Sequence, residues 1–367
     1  MRITKVALAA AGVLLSANAS AVSMSGGEYY GVASLEGARA ALTNPALLSI
    51  HDGNLVDILV PRITVNYSDQ DDIVNQVEEL TDFVDAGPQD FEYLTEIESR
   101  LVKLSESNRI EAAGGFDAAV STTLPFGVGG AVFFDSHVMG TAVTNLAEGS
   151  DSLTIFNDSS MDLIGLAVLN IGLSAAYTFE LPVGEFAIGV SPKGQSLKVY
   201  GESVDMRTFD FDLSEDGEVS STQANVDVGL AYSWGPITAG LAGKNLISHE
   251  LDLDVGSSNY RVSVPAQYTL GAGFDGGFFK AAIDVELSEY EIVDGLGGSQ
   301  KTALSGEVDV LPMLTLRGAY IFDMSTDEHV GSLGAGIALF PLTQFDVDAG
   351  ISNEGDFSVG ASFSVYL

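Results

Sequence analysis

From residue 222 to the last residue the chain alternates apolar and polar side chains with a period of two. In residues 225–233, Val226, Val228, Leu230 and Tyr232 take the even positions, while Asn225, Asp227, Gly229, Ala231 and Ser233 take the odd ones. Successive side chains of an extended strand point to opposite faces, so this is a strand with one apolar face. The dyad returns with Ala281, Ile283 and Val285 against Lys280, Asp284 and Glu286, and with Leu304, Val308 and Val310 against Ser305, Glu307 and Asp309. It continues with Leu314, Leu316 and Tyr320 against Thr315 and Arg317, with Phe345, Val347 and Ile351 against Asp346 and Asp348, and with Val359, Phe363, Val365 and Leu367 against serines and Gly360. Turn signals separate the runs: Gly276-Gly277, Gly297-Gly298, Leu311-Pro312, Asp327-Glu328, Phe340-Pro341 and Asn353-Glu354-Gly355.

Two architectures satisfy such a pattern: a soluble sandwich or barrel with its apolar face inward, and a transmembrane barrel with its apolar face toward lipid. The second also accommodates the composition. The chain carries 51 acidic and 15 basic residues, a formal charge of -36, yet 46% of it is hydrophobic. Lipid contacts account for the hydropathy, while carboxylates occupy loops and a wet lumen. The strands run about 10 residues, the length tilted membrane strands need, and the sequence stops within an alternating strand, as barrels do whose last strand closes on the first.

The same composition excludes other classes. With no cysteine there is no disulfide framework, thiolate metal site, Cys nucleophile or acylated anchor. Four histidines, at 51, 137, 249 and 329, show no paired spacing, so neither a metal site nor a cofactor is expected. An acidic surface repels a phosphate backbone, which argues against nucleic acid. Gly271-Ala272-Gly273-Phe274-Asp275-Gly276 fits the dinucleotide pattern, but an alternating strand follows where that motif needs a helix. No GxSxG or HExxH occurs, and an enzyme is not expected. Glu250, Asp252 and Asp254 share one strand face, where they read as a solvated strand end rather than a Ca²⁺ site.

The expected layout is a signal peptide over residues 1–21, a non-strand plug over 22–53 and a barrel over 54–367. Arg2 and Lys5 precede the apolar run Val6 to Leu15, and Ala17-Asn18-Ala19 or Ala19-Ser20-Ala21 supplies a small-residue cleavage pattern. No later stretch has the length of a membrane helix; the longest apolar one, Leu163 to Ala176, is interrupted by Asn170 and glycines. Strands are expected near 54–68, 110–124, 128–144, 161–180, 184–204, 222–234, 236–249, 263–274, 277–290, 300–311, 313–323, 330–340, 343–352 and 356–367, about fourteen in all and even in number as bacterial barrels require. Within 70–108, Ile73, Val77, Leu80 and Val84, then Phe91, Leu94, Ile97, Leu101 and Leu104, recur at three- and four-residue spacing, predicting two amphipathic helices separated by Gly87-Pro88. The acidic stretch 205–222 reads as a long external loop.

Gly37-Ala38-Arg39-Ala40-Ala41-Leu42-Thr43-Asn44-Pro45-Ala46-Leu47-Leu48 resembles the N-terminal hatch of the long-chain fatty acid transporter (FadL) superfamily, in which an Asn-Pro-Ala turn precedes a fourteen-stranded barrel. A narrower resemblance is to the TraF-like family of conjugal-transfer envelope proteins. It is carried by Ile188-Gly189-Val190-Ser191-Pro192-Lys193, Gly240-Leu241-Ala242-Gly243-Lys244-Asn245-Leu246, Pro265-Ala266-Gln267-Tyr268-Thr269-Leu270-Gly271, Leu316-Arg317-Gly318-Ala319-Tyr320 and the helical insert. The terminal Leu367 departs from the Phe that often ends such barrels.

On its own chemistry, Asn44-Pro45-Ala46 is a compact stop: Pro45 fixes φ and lacks an N–H, and the Asn44 side chain can bond the backbone after it. Its two readings are a gating plug turn and an ordinary helix stop. Asp227, Lys244, Lys280, Asp284, Glu286, Glu307, Asp309, Arg317, Asp346 and Asp348 lie on the polar parity of their strands, either as a lumenal ion network or along a permeation route. The superfamily resemblance implies an outer-membrane barrel that binds or passes a small hydrophobic solute, with outer-membrane lipid around it. The TraF-like resemblance implies instead an assembly component of an envelope apparatus. An envelope protein partner would then be met through 70–108, unless that insert is a lid packed on the barrel by its own apolar stripes.

Overall fold

A computed structural model describes residues 31–50, 55–69, 73–86, 91–106, 110–124, 126–147, 149, 151–205, 218–340, 342–353 and 355–367. The expected signal peptide, the first part of the plug, Gly87-Pro88, Pro341, Glu354 and the middle of the acidic loop lie outside the described residues.

Strand β1 (Val56–Asp69) is followed by helices α2 (Ile73–Ala86) and α3 (Phe91–Glu106), a shorter helix α1 (Gly37–Thr43) having come before it. Next come β2 (Ile110–Leu124), β3 (Val128–Asn145), helix α4 (Ser152–Asp158), β4 (Ser160–Glu180), β5 (Glu185–Asp205), β6 (Glu218–Trp234) and β7 (Ile237–Lys244). A hairpin of β8 (His249–Val255) and β9 (Ser258–Val264) precedes β10 (Gln267–Asp275), β11 (Phe279–Glu286), β12 (Lys301–Leu311) and β13 (Leu314–Asp323). The chain closes with β14 (His329–Phe340), β15 (Thr343–Ser352) and β16 (Phe357–Tyr366). All strands except β8 and β9 form one closed antiparallel barrel in sequence order, with β1 bonded to both β2 and β16. No described helix is long and apolar enough to cross a membrane; the strands do the crossing.

The faces are those of a membrane barrel. On β6, Val228, Leu230 and Tyr232 are 38%, 42% and 37% exposed, whereas Asn225, Asp227 and Ala231 are 3%, 5% and 2% exposed. A soluble barrel would reverse these values. Exposed Trp234, Phe278 and Phe340 lie at the end where connections are short, such as 235–236 and 276–278, and supply the aromatic girdle that marks a membrane interface. Helices α2 to α4, the β8–β9 hairpin and segment 287–300 lie at the opposite, loop end.

In β1 the register shifts between Leu59 and Arg62 against both neighbours. Pro61 sits in that interval, where its missing N–H costs no ladder bond. The bulge leaves Leu59 and Arg62 both buried on the lumenal side, so the inward parity changes from odd to even along one strand.

Residues 31–50 fill the lumen. Helix α1 and the 3₁₀ helix Pro45–Ser49 are almost wholly buried, and Ala38, Ala40, Ala46 and Leu48 share a core with wall residues Leu59, Phe133, Ala187 and Ala231. At the loop end, Val77, Leu80, Ile97, Leu101 and Leu104 of α2 and α3 pack with Phe156, Met161 and Leu163. The insert is therefore a cap held to the barrel by its own apolar stripes.

The β8–β9 hairpin corrects the expected layout, which ran β7 on to residue 249. Asn245 adopts φ 52°, a left-handed conformation asparagine tolerates better than branched residues, and this ends β7 at Lys244. The hairpin then lays Leu253, Val255, Val262 and Val264 against Ile164, Leu166, Val168, Leu197 and Val199. Its exposed face carries Glu250, Asp252 and Asp254, of which Asp252 pairs with Arg261 at 3.0 Å and Asp254 accepts from Asn259 at 2.7 Å.

Candidate lumenal site

The inner wall carries a connected polar belt running from β1 to the end of β7. Arg62 Nη2 lies 2.5 Å from Asp117 Oδ2, and Asp117 faces Asp135 across the β2–β3 pair. Asp135 Oδ1 meets His137 Nε2, and its Oδ2 accepts from Asn170 Nδ2 at 3.2 Å. Gln195 Nε2 donates to Asn170 Oδ1 at 3.1 Å, and Asn225 Nδ2 donates to Gln195 Oε1 at 3.1 Å. Lys193 Nζ reaches Asp227 at 2.8 Å and donates to Asn245 Oδ1 at 2.7 Å, while the Asn245 N–H donates to Asp227 Oδ1 at 2.7 Å. Such charges are tolerable in a closed interior because each lies against an opposite charge; Asp117 Oδ1 is left without a hydrogen-bond donor.

The opposite wall holds a second group, and the plug enters it. Arg317 Nε donates to Glu307 Oε2 at 2.6 Å and Arg317 Nη1 to Asp346 Oδ1. Arg39 of α1 donates to Asp346 Oδ2 at 2.6 Å and Ser362 Oγ at 3.1 Å. Two wall carboxylates accept from plug backbone: Asp57 from the Ala38 N–H at 2.8 Å and Asp284 from the Val32 N–H at 3.1 Å. Lys280 Nζ lies 3.1 Å from Glu36.

Asn44 is the fully buried pivot of the plug. Its Oδ1 accepts from the Ala46 N–H at 3.1 Å, and its Nδ2 donates to Val32 O at 2.7 Å and Leu230 O at 3.2 Å. Pro45 takes the first helical position after it, where no N–H is needed. The wall is moulded to this turn. A Cβ at Gly189 would enter the backbone of Pro45–Ala46, one at Gly229 the Asn44 side chain, and one at Gly240 the carbonyl of Val32.

Above the plug lies an internal cavity of about 220 Å³. Its charged side includes Asp135, His137, Lys193 and Lys244; its apolar side includes Met139, Leu166, Val168, Val264 and Val293.

Of the residues expected from parity, Asp227 joins the belt, Lys244 and Glu286 line the cavity, and Glu307, Arg317 and Asp346 form the opposite group. Glu286 also accepts from the Lys301 N–H at 2.7 Å. Asp348 borders a small void with Arg317, Ser332 and Asp346. Asp284 and Lys280 serve the plug, and Asp309 departs from the rest: it is exposed near the β12–β13 turn and accepts from Thr315 at 2.7 Å. The ten residues therefore do not make one network. Sequence reasoning missed Arg62, Asp117, Asp135, His137, Asn170, Lys193 and Gln195. For the six on β2 to β5 the usable signal was inward parity, blurred there by glycine and alanine on both faces. Gly271 and Gly273, two of the three glycines of the dinucleotide-like pattern, lie in β10, where Gly273 abuts the plug at Ala33.

A closed fourteen-stranded barrel, apolar outside and filled by an N-terminal plug, defines a class of membrane β-barrel. Solved structures share the fold: the Ralstonia pickettii toluene transporter TbuX (TM-score 0.54, 11% identity, 93% of this chain and 98% of that one), the Pseudomonas putida toluene transporter TodX (0.52, 12%, 94% and 99%) and a Pseudomonas aeruginosa FadL homologue (0.52, 12%, 94% and 95%). No curated protein matches the chain in sequence. The sequence profile of the family described as "F plasmid transfer operon, TraF, protein" matches residues 41–286. The chain belongs to that family.

Proposed function

We propose that this protein is an outer-membrane barrel, exported by its N-terminal signal, that binds a small hydrophobic solute at the loop end of its lumen and passes it on without chemistry of its own. The observation that carries the reading is the cavity above the plug, whose apolar side is built from Leu166, Val168 and Val264 on rigid strands. Toluene transporters and a monoaromatic hydrocarbon channel share its fold, which supports the solute class. Apolar area removed from water contributes about 25 cal/mol per Å².

Leu166→Asp is expected to weaken binding of the fluorophore N-phenylnaphthylamine to the detergent-solubilised barrel by about tenfold, since it removes about 1.5 kcal/mol of apolar contact. Undiminished binding by that variant, or no binding by the unaltered barrel, would contradict the proposal.

The family's description, which places it in a plasmid transfer operon, favours a second reading, a non-transporting component of an envelope assembly. The apolar stripes of the insert are already used against the barrel, so a partner there would meet the polar outer face with Glu79 and Glu96. A barrel lacking residues 70–108 that folds but loses a co-purifying envelope protein would support this reading; unchanged complexes would remove it.

A further inference from the structure

We propose that Asp117, Asp135 and His137 form a binding site on the lumen wall for one divalent transition-metal ion of the zinc class. The three residues each offer one ligand atom, and these atoms lie within 4.8 Å of one another. They project from adjacent, fully hydrogen-bonded strands, Asp117 being the cross-strand partner of Asp135 and His137 lying two residues along the same face of β3. Rigid strands are the kind of support that holds a metal site in geometry.

The arrangement of the oxygens points to a ligand independently of the grouping. Each carboxylate is oriented from behind through one oxygen: Arg62 sits 2.5 Å from Asp117 Oδ2, and Asn170 donates to Asp135 Oδ2 at 3.2 Å. The other oxygen of Asp135 meets His137 Nε2, whereas Asp117 Oδ1 is buried and has no hydrogen-bond donor, Asp117 being only 1% exposed. A buried carboxylate oxygen without a donor is costly. That oxygen, together with the Asp135 carboxylate and the His137 imidazole nitrogen beside it, makes an O,O,N donor set, with outer groups orienting the ligands as metal sites commonly have. The cavity above the plug is lined by Asp135 and His137, which leaves room beside the site for coordinated water. Three protein ligands including an imidazole suit zinc and its neighbours; calcium and magnesium take oxygen sets of higher coordination. The sequence hides the site because Asp117 and Asp135 are brought together only by the β2–β3 register.

The test uses the full folded barrel in detergent, stripped with chelator and titrated with Zn²⁺ by equilibrium dialysis. One Zn²⁺ per chain is expected, with binding lost in Asp117→Asn and His137→Gln, weakened about 10- to 100-fold in Asn170→Ala, and kept in Glu250→Gln, a control for exposed carboxylates. Co²⁺ added to the unaltered barrel should give the visible d–d bands of a low-coordinate nitrogen and oxygen site, a readout that does not depend on the variants folding. Absence of stoichiometric Zn²⁺, absence of those bands, or equal binding by folded Asp117→Asn and His137→Gln barrels would overturn the proposal.

Discussion

Gly229→Val is expected to unseat the plug and give a barrel that conducts ions. A Cβ at position 229 occupies the place of the Asn44 side-chain oxygen and comes within 2.9 Å of the Ala46 nitrogen and 3.0 Å of Pro45 Cδ. The wall cannot retreat, because β6 is hydrogen-bonded to β5 on one side and β7 on the other. The plug is the weaker partner. Its turn is fixed by the three Asn44 hydrogen bonds, worth roughly 1 kcal/mol each, while forcing bulk into a packed interior costs about 1–3 kcal/mol and valine itself suits a strand. The barrel should therefore stay closed as the plug gives way. Planar-bilayer recordings should show conductance steps in the variant and few in the unaltered protein, and trypsin should gain access to Arg39, now largely covered where it pairs with Asp346. A silent variant with Arg39 still protected would show that the plug tolerates the side chain.

Leu230→Arg should be the most destabilising single change on the outer face. Leu230 stands between Ile188 and Leu241 on the neighbouring strands, in an outward apolar row, and arginine at bilayer mid-depth costs about 2–4 kcal/mol. Ser220 shares the outward parity of β6 but lies ten residues nearer the loop end. Ser220→Arg should cost no more than about 1 kcal/mol. Denaturant titration in lipid vesicles measures both, and equal costs would mean that depth along β6 is not depth in a bilayer.

How much of this was legible depends on whether a strand's two faces differ in chemistry. From β10 to β16 they do, and the strands fall close to where the alternation and the glycine or proline breaks put them. The Arg317, Glu307 and Asp346 group could be found by parity for the same reason. Arg62 could not: the bulge at Pro61 changes the inward parity, and only the pairing of β1 with β2 and β16 shows it. The β8–β9 hairpin also alternates, but its apolar face turns toward inward-facing Leu166, Val168 and Val199, so dyad counting alone cannot tell it from a wall strand. The Asn44-Pro45-Ala46 turn was recognisable as a stop, whereas its seating against Gly189, Gly229 and Gly240 depends on a register that joins residues nearly two hundred positions apart.

The absence of cysteine makes the decisive measurement direct. Single cysteines placed from 225 to 233 and spin-labelled in vesicles report oxygen accessibility, which is high in acyl chains and low in a filled lumen. A period of two is expected, with maxima at 226, 228, 230 and 232 and minima at 225, 227 and 231. Maxima at the odd positions, or a flat profile, would contradict it.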